Sequence, residues 1–184
     1  MKYKTIYADP PWPERGGGTI KRGADAHYPL MTVKQICDLP VQELYDKEDG
    51  CHLYLWTTNN YLPDAFKVIK AWGFEYITTI TWLKEKIGLG QYYRGLTEHC
   101  LFARTKKVLP YKLDEEGKRL QGVTGFMEAK REHSQKPDLM REMIEKVSHA
   151  PRIELFAREY HEDWDVWGNE VNGIDFNGLG GQNG

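Results

Sequence analysis

Apolar residues in this chain fall into short blocks that change period along its length. Thr5-Ile6-Tyr7-Ala8 reads as a short buried strand, stopped by Asp9-Pro10-Pro11 because tandem prolines cannot donate to a ladder. Residues 13–26 are Gly- and charge-rich and predict a loop. Thr32 is placed to cap a short helix carrying Val33, Ile36 and Cys37 on one face. Leu53 to Trp56 predicts a second strand. Leu62, Ala65, Phe66, Ile69 and Trp72 then recur at helical spacing, with Gly73 where a C-terminal cap glycine belongs.

Phe74 to Leu83, rich in Thr, Ile and aromatics, predicts a strand, and so does His99 to Arg104. A Gly-rich basic loop, 84–97, separates them. Residues 105–124 are charged and contain Gly, which predicts a loop or irregular hairpin. Pro137 suits the first turn of a helix whose apolar face is Leu139, Met140, Met143, Ile144 and Val147. Arg152 to Ala157 predicts a last strand, and the Gly/Asn-rich stretch 177–184 a flexible tail after a single domain spanning 1–176.

Strands alternating with helices predict an α/β fold, a largely parallel open sheet with helices on both faces. Ligands of such sheets bind beyond the carboxyl ends of the strands, where Asp9 and Arg158 fall. Composition agrees: 184 residues suit one domain, and 40% hydrophobic with 28% charged residues is the balance of a soluble globular protein. No apolar run has membrane-spanning length, and Met1-Lys2-Tyr3-Lys4 leads straight into a strand without a signal-peptide pattern. Cys37, Cys51 and Cys100 lack Cys-x-x-Cys spacing and suggest neither disulfides nor a zinc site, so reduced thiols and a cytoplasmic setting are expected, with no metal.

The net charge of −2 argues mildly against a free-standing duplex-DNA binder. The charge is uneven, however. Lys84 to Lys112 holds seven Lys/Arg against two acids, a patch able to meet phosphates.

Asp9-Pro10-Pro11-Trp12 carries the candidate chemistry. An adenine amine is a poor nucleophile because its lone pair is delocalised into the ring. Acceptors aimed at its two hydrogens would draw the nitrogen toward tetrahedral geometry. The Asp9 carboxylate can accept one hydrogen and the Pro10 carbonyl the other, held rigidly because both prolines have fixed φ. Trp12 offers a flat face for a base taken out of its stack. As a bare tetrapeptide the same residues fit a Pro-Pro turn followed by a buried Trp.

The chain resembles the N6-adenine methyltransferases typified by the catalytic subunit of the eukaryotic messenger-RNA adenosine methyltransferase, with their small bacterial and phage relatives. The resemblance runs from Tyr7 to about Asp175. It rests on Ala8-Asp9-Pro10-Pro11-Trp12, Tyr28-Pro29-Leu30-Met31-Thr32, Leu53-Tyr54-Leu55-Trp56, Trp82-Leu83-Lys84, Glu98-His99-Cys100-Leu101, Ser134-Gln135-Lys136-Pro137-Asp138, Ile153-Glu154-Leu155-Phe156-Ala157-Arg158 and Trp167-Gly168-Asn169. The permuted order, catalytic motif first, is part of the match.

The resemblance implies a Rossmann-like methyltransferase that uses S-adenosylmethionine, releases S-adenosylhomocysteine and needs no metal. By the same resemblance Asp9, Pro10, Pro11 and Trp12 are catalytic. Asp9, Lys136, Glu154, Phe156, Arg158, His161, Asn169 and Glu170 line the cofactor site, with Lys136 neutralising the cofactor's carboxylate. Tyr160 competes with His161 for one contact, because the spacing after Arg158 differs from that of well-known members. Glu170 stands where an amide is common. Tyr28, Lys84 and Arg94 approach the substrate nucleotide.

The chain begins almost at the catalytic strand, and no separate target-recognition domain is expected. Target capture would then come from residues 84–112, the 13–26 loop, a homodimer or a partner subunit. The implied substrate is nucleic acid in a bacterial or phage-infected cell, with DNA favoured. RNA methylation by the same chemistry is one alternative. A non-catalytic nucleic-acid-binding subunit is another, disfavoured by the intact tetrapeptide.

Overall fold

The computed structural model describes residues 1–13, 30–88, 90–129 and 136–168. Seven strands form one sheet: β1 (Thr5–Ala8), β2 (His52–Thr57), β3 (Glu75–Leu83), β4 (Thr97–Arg104), β5 (Gly125–Met127), β6 (Arg152–Leu155) and β7 (Trp164–Trp167). Their spatial order is β5-β3-β4-β2-β1-β6-β7. β1 pairs in parallel with β2 and β6, β6 with β7, and β3 with β5. β4 runs antiparallel between β2 and β3. The carboxyl ends of the other six strands therefore share one edge of the sheet with the start of β4.

Helices α1 (Val33–Cys37) and α2 (Leu62–Ala71) cover one face and α3 (Asp138–Val147) the other. The period-2 alternation of central strands sorts side chains between the faces. Ile6, Ala8, Leu53 and Leu55 pack with Ile36, Val68 and Ile69. Tyr7, Tyr54 and Trp56 pack with Met140 and Ile144. Among the described residues no helix is long and apolar enough to cross a membrane.

Local signals act as the sequence suggests. Thr32 accepts from Gln35 N, and the Gln35 side chain accepts from Thr32 N, a reciprocal capping box on α1. After α2, Gly73 has φ +85°, and a Cβ there would lie 2.5 Å from the Tyr45 hydroxyl. That hydroxyl donates to the Trp72 carbonyl at 2.7 Å, so both backbone and neighbour require glycine.

Other boundaries differ. α3 begins at Asp138, and Pro137 is its N-cap with ψ 136°, one residue outside the turn expected to hold it. β6 ends at Leu155, because Phe156 has φ +64° and turns the chain out of the sheet. Phe66 is not on the buried face of α2. It is 39% exposed and packs edge-on against Tyr76. The irregular hairpin within 105–124 closes on a Leu113–Arg119 bridge, its turn organised by Asp114, whose carboxylate accepts from Glu116 N and Lys118 N.

At the far end of β2, three buried groups share hydrogen bonds. Ser148 Oγ lies 2.8 Å from His52 Nδ1 and 2.8 Å from the Tyr54 hydroxyl. Burial, and then the nearby His149 and Arg104, push the His52 pKa down to about 4. A depressed histidine pKa means that unfolded chains bind more protons between about 6.5 and 4. Stability is thus whole above the unfolded value and lost as pH falls through this window. The full span corresponds to about 3 kcal/mol. Urea denaturation should show a loss of about 2 kcal/mol between pH 7 and 5 that His52→Gln largely removes. An identical pH slope in both proteins would refute this.

Candidate active site

Asp9 leaves β1 at the carboxyl edge, between the ends of β2 and β6. The Pro-Pro turn behind it is fixed by three backbone and side-chain bonds. Trp12 N donates to the Pro10 carbonyl at 2.8 Å, Met31 N to the Pro11 carbonyl at 2.9 Å, and Trp12 Nε1 to the Trp56 carbonyl at 3.0 Å. A carbonyl oxygen has two lone pairs, so Pro10 retains one for an incoming donor.

Trp12 departs from expectation. Its indole is 9% exposed, with one face stacked on Tyr61 at 5.4 Å. A ring committed in this way anchors the tetrapeptide against β2, and among the described residues it shows one face taken up by Tyr61 where the sequence suggested an open one.

Beside Asp9 lies a chain of alternating charges. Lys136 Nζ sits 2.7 Å from Asp9 Oδ2 and 3.2 Å from Glu98 Oε2, and Glu98 also holds Lys84. Lys136 lies 5.4 Å from the centre of the Trp56 ring. Burial alone would lower the Lys136 pKa, but the Asp9 and Glu98 carboxylates outweigh it and hold it raised. Burial would likewise raise Glu98, and the two lysines outweigh that and hold it lowered. Both groups are therefore charged at neutral pH. These positions come from four places in the chain: the end of β1, the residue preceding Pro137, the start of β4 and the end of β3.

Glu154 on β6 is bound by Arg141 of α3, whose Nη2 donates to Glu154 Oε2 at 2.9 Å. Burial dominates its carboxyl and raises its pKa despite Arg141, with Asp9 and Glu159 adding to the rise. Phe156 is core, packed edge-on against Trp167 at 5.2 Å. Its positive φ is a local strain at the mouth of the site. Arg158 is half-buried and Tyr160 exposed. His161 lines a cleft of about 320 Å³ with Asp138, Arg141, Glu142, Glu145 and Glu159.

The structure thus joins Asp9 to Lys136 directly, reaches Lys84 only through Glu98, and sets Glu154 on the strand beside Asp9. Arg94 is held elsewhere, its Nε donating to the Gly88 carbonyl in the β3–β4 hairpin. Lys84, expected to approach a nucleotide, is engaged by Glu98 and 21% exposed. Lys112 is also occupied, donating to the Glu145 carbonyl. The basic patch is accordingly thinner than its sequence. Tyr28, Asn169, Glu170, most of the 13–26 loop and the 177–184 tail lie outside the described residues.

Sequence reasoning assigned no role to Glu98 or Arg141. Glu98 had a visible signal, an acid two residues before the apolar run Cys100-Leu101-Phe102-Ala103, since buried acids are paired. Arg141 had little, because its nearer partner, Glu154, is on another element, and Asp138 of its own helix lies farther off at 3.4 Å. Among the described residues no group of acidic, His or Cys side chains is arranged to hold a metal ion.

Comparison with known proteins bears on this arrangement. The chain is 31% identical to the type II methyltransferase M.MunI of Mycoplasma sp., over 92% of this chain and 78% of that protein. It is 28% identical to an N(6)-adenosine-methyltransferase MT-A70-like protein of Arabidopsis thaliana, and 29% identical to the N(6)-adenosine-methyltransferase catalytic subunit METTL3 of Homo sapiens. Both matches cover 94% of this chain, but only 24% and 29% of those longer proteins. The MT-A70 family profile matches residues 3–170. The cluster around Asp9 falls inside that span, and the chain belongs to the MT-A70 family of N6-adenine methyltransferases.

Proposed function

We propose that this chain methylates the N6 amine of adenine in DNA, with Asp9 and the Pro10 carbonyl receiving the amine. The carrying observation is the position of Asp9: at the carboxyl edge, on a turn pinned by Trp12, with one carboxylate oxygen on Lys136. S-adenosylmethionine, which the family uses, supplies when bound an electrophilic methyl group on a sulfonium and departs as a neutral thioether.

The residues present suit that cofactor. A methionyl tail carries a carboxylate and an amine. Lys136 has three donors, two of them met by Asp9 and Glu98, leaving one for a carboxylate. Asp9 and Glu154 are anionic partners for an amine or ribose, and Arg158 and His161 follow on the same β6 edge.

Asp9 and Pro10 O accept the two N6 hydrogens and free the nitrogen's lone pair. With both hydrogens held, the N6 lone pair would face the cofactor's methyl group, and the Asp9 carboxylate would receive the surplus N6 proton along its hydrogen bond. Fixing both reactants is worth on the order of 7–11 kcal/mol in favourable cases.

DNA is favoured by the 31% identity to the Mycoplasma type II methyltransferase, against 28% and 29% to the two adenosine methyltransferases. Matched DNA and RNA oligonucleotides, digested and analysed for N6-methyladenine by mass spectrometry, decide between them. Turnover confined to RNA would overturn the DNA assignment. Activity should also fall as salt rises, through the exposed members of the 84–112 patch. A flat response would remove those residues from substrate capture.

A further inference from the structure

Residues 84–96 extend β3 and β4 beyond the sheet as a hairpin, Leu89 lying outside the described residues. Lys84 N donates to the Leu96 carbonyl at 2.8 Å and Gly88 N to the Gly95 carbonyl at 2.6 Å, so two backbone bonds tie its arms together beyond the regular ladder, which ends at Leu83 and Thr97. The turn is tight: a Cβ on Gly90 would come within 1.9 Å of the Tyr93 carbonyl oxygen. Arg94 closes it by donating Nε to the Gly88 carbonyl at 2.9 Å.

Two adjacent aromatics stand at this tip, Tyr92 at 95% and Tyr93 at 93% exposure. Such exposure means that neither ring packs on the rest of the protein. Tyr111, also exposed, differs, because the Arg119 guanidinium covers its ring at 4.1 Å. Single exposed apolar residues need no explanation, but two uncovered neighbouring rings on a braced hairpin do.

The hairpin springs from the catalytic edge. Its base holds Lys84 and Glu98, the latter bound to Lys136 and so to Asp9. Its other charges are Lys86 and Arg94 against Glu85, a cationic surround. A chain of net charge −2 has no broad basic footprint, so phosphate contacts alone would hold a strand weakly. Stacking on aromatic faces supplies affinity without such a footprint, and any base will serve. A protein partner would instead call for apolar surroundings, and Ile87 is the one exposed aliphatic neighbour among the hairpin's described residues.

We propose that Tyr92 and Tyr93 stack on bases of single-stranded or locally opened nucleic acid, holding the strand that carries the target adenine. This rests on the methyltransferase reading for its substrate, but its test does not require turnover.

The test is fluorescence anisotropy with a fluorescein-labelled, adenine-containing single-stranded oligonucleotide, in DNA and RNA versions. Tyr92→Ala and Tyr93→Ala should each weaken binding by roughly tenfold in whichever version the native protein binds, and the double variant by more. Tyr→Phe at both positions should restore affinity, since the ring face is retained. In methylation assays the oligonucleotide KM should rise in proportion while kcat stays within a few-fold. The S-adenosylmethionine Kd, measured by calorimetry, should not change. Unchanged oligonucleotide affinity in the double Ala variant would overturn the assignment. So would failure of the Phe variant to restore it, or a change of molecular mass by light scattering, which would make the tip a contact between copies. Native protein that binds the oligonucleotide through these rings yet transfers no methyl group would sink the methyltransferase reading and leave the stacking assignment standing.

Discussion

Asp9→Ala should abolish methyl transfer while leaving the protein folded. The carboxylate accepts one of the two N6 hydrogens, and no described neighbour could replace it. Glu98 is held by Lys84 and Lys136, and Glu154 by Arg141. Loss of a group that handles a proton in the transition state costs on the order of 10²–10⁴ in rate, and here loss of orientation adds to it. The fold should tolerate the change. Asp9 is 25% exposed, and Lys136 retains Glu98 as counter-ion. Thermal unfolding should move by a few degrees at most, and the S-adenosylmethionine Kd should change far less than kcat. Asp9→Asn keeps an acceptor but adds a competing donor and should remain severely impaired. Near-native turnover in either variant would remove Asp9 from the mechanism.

Lys136→Ala should show the second largest effect, through two separable readouts. For the cofactor, a charge-assisted hydrogen bond of about 1.5–3 kcal/mol is lost, so its Kd should rise roughly ten- to hundredfold. At saturating cofactor kcat should fall less. For the fold, removal of one member of a buried pair typically costs about 3–5 kcal/mol. Glu98 still has Lys84 and Asp9 is partly solvated, so about 2 kcal/mol is expected at neutral pH.

The pH dependence of that difference follows from sign. Glu98 has a lowered pKa in the native protein, so its stabilisation is present above the unfolded carboxylate range and lost as pH falls through the folded value. Without Lys136 that pKa moves up. The gap in stability between native and variant should therefore narrow as the solution is acidified below the carboxylate range. Chemical denaturation across pH, paired with calorimetric titration of the cofactor, reads both effects. An unchanged cofactor Kd would count against the Lys136 assignment, whatever happened to stability.

Features written in local sequence were legible. The strand stopping before Asp9, the Thr32 cap with Gln35, the α2 periodicity and Gly73 all depend on residues within a few positions of one another. β5 was not legible, because three residues of Gly-Phe-Met carry no periodicity and their strand is defined by β3. β7 had a usable signal, the alternation of Trp164-Asp165-Val166-Trp167, buried at Trp164 and Val166 and exposed at Asp165.

The candidate site divides in the same way. Asp9 and Lys136 stand in recognisable blocks, but the contact between them is made by tertiary packing. The role of Glu98 as shared counter-ion of Lys84 and Lys136 appears only when β3, β4 and the start of α3 meet. Trp12 shows how a correct residue can be given the wrong environment. The tetrapeptide told that an indole follows the prolines; the burial of that indole against Tyr61 depends on a segment after β2.

The most direct test of the account is transfer of a labelled methyl group. Native protein is incubated with S-adenosylmethionine carrying a trideuterated methyl and an adenine-containing DNA oligonucleotide, and the digested nucleosides are analysed by mass spectrometry. Trideuteromethyl label is expected on N6 of adenine with the native protein and none with Asp9→Ala. Label on another atom, or equal label from the Asp9→Ala variant, would contradict it.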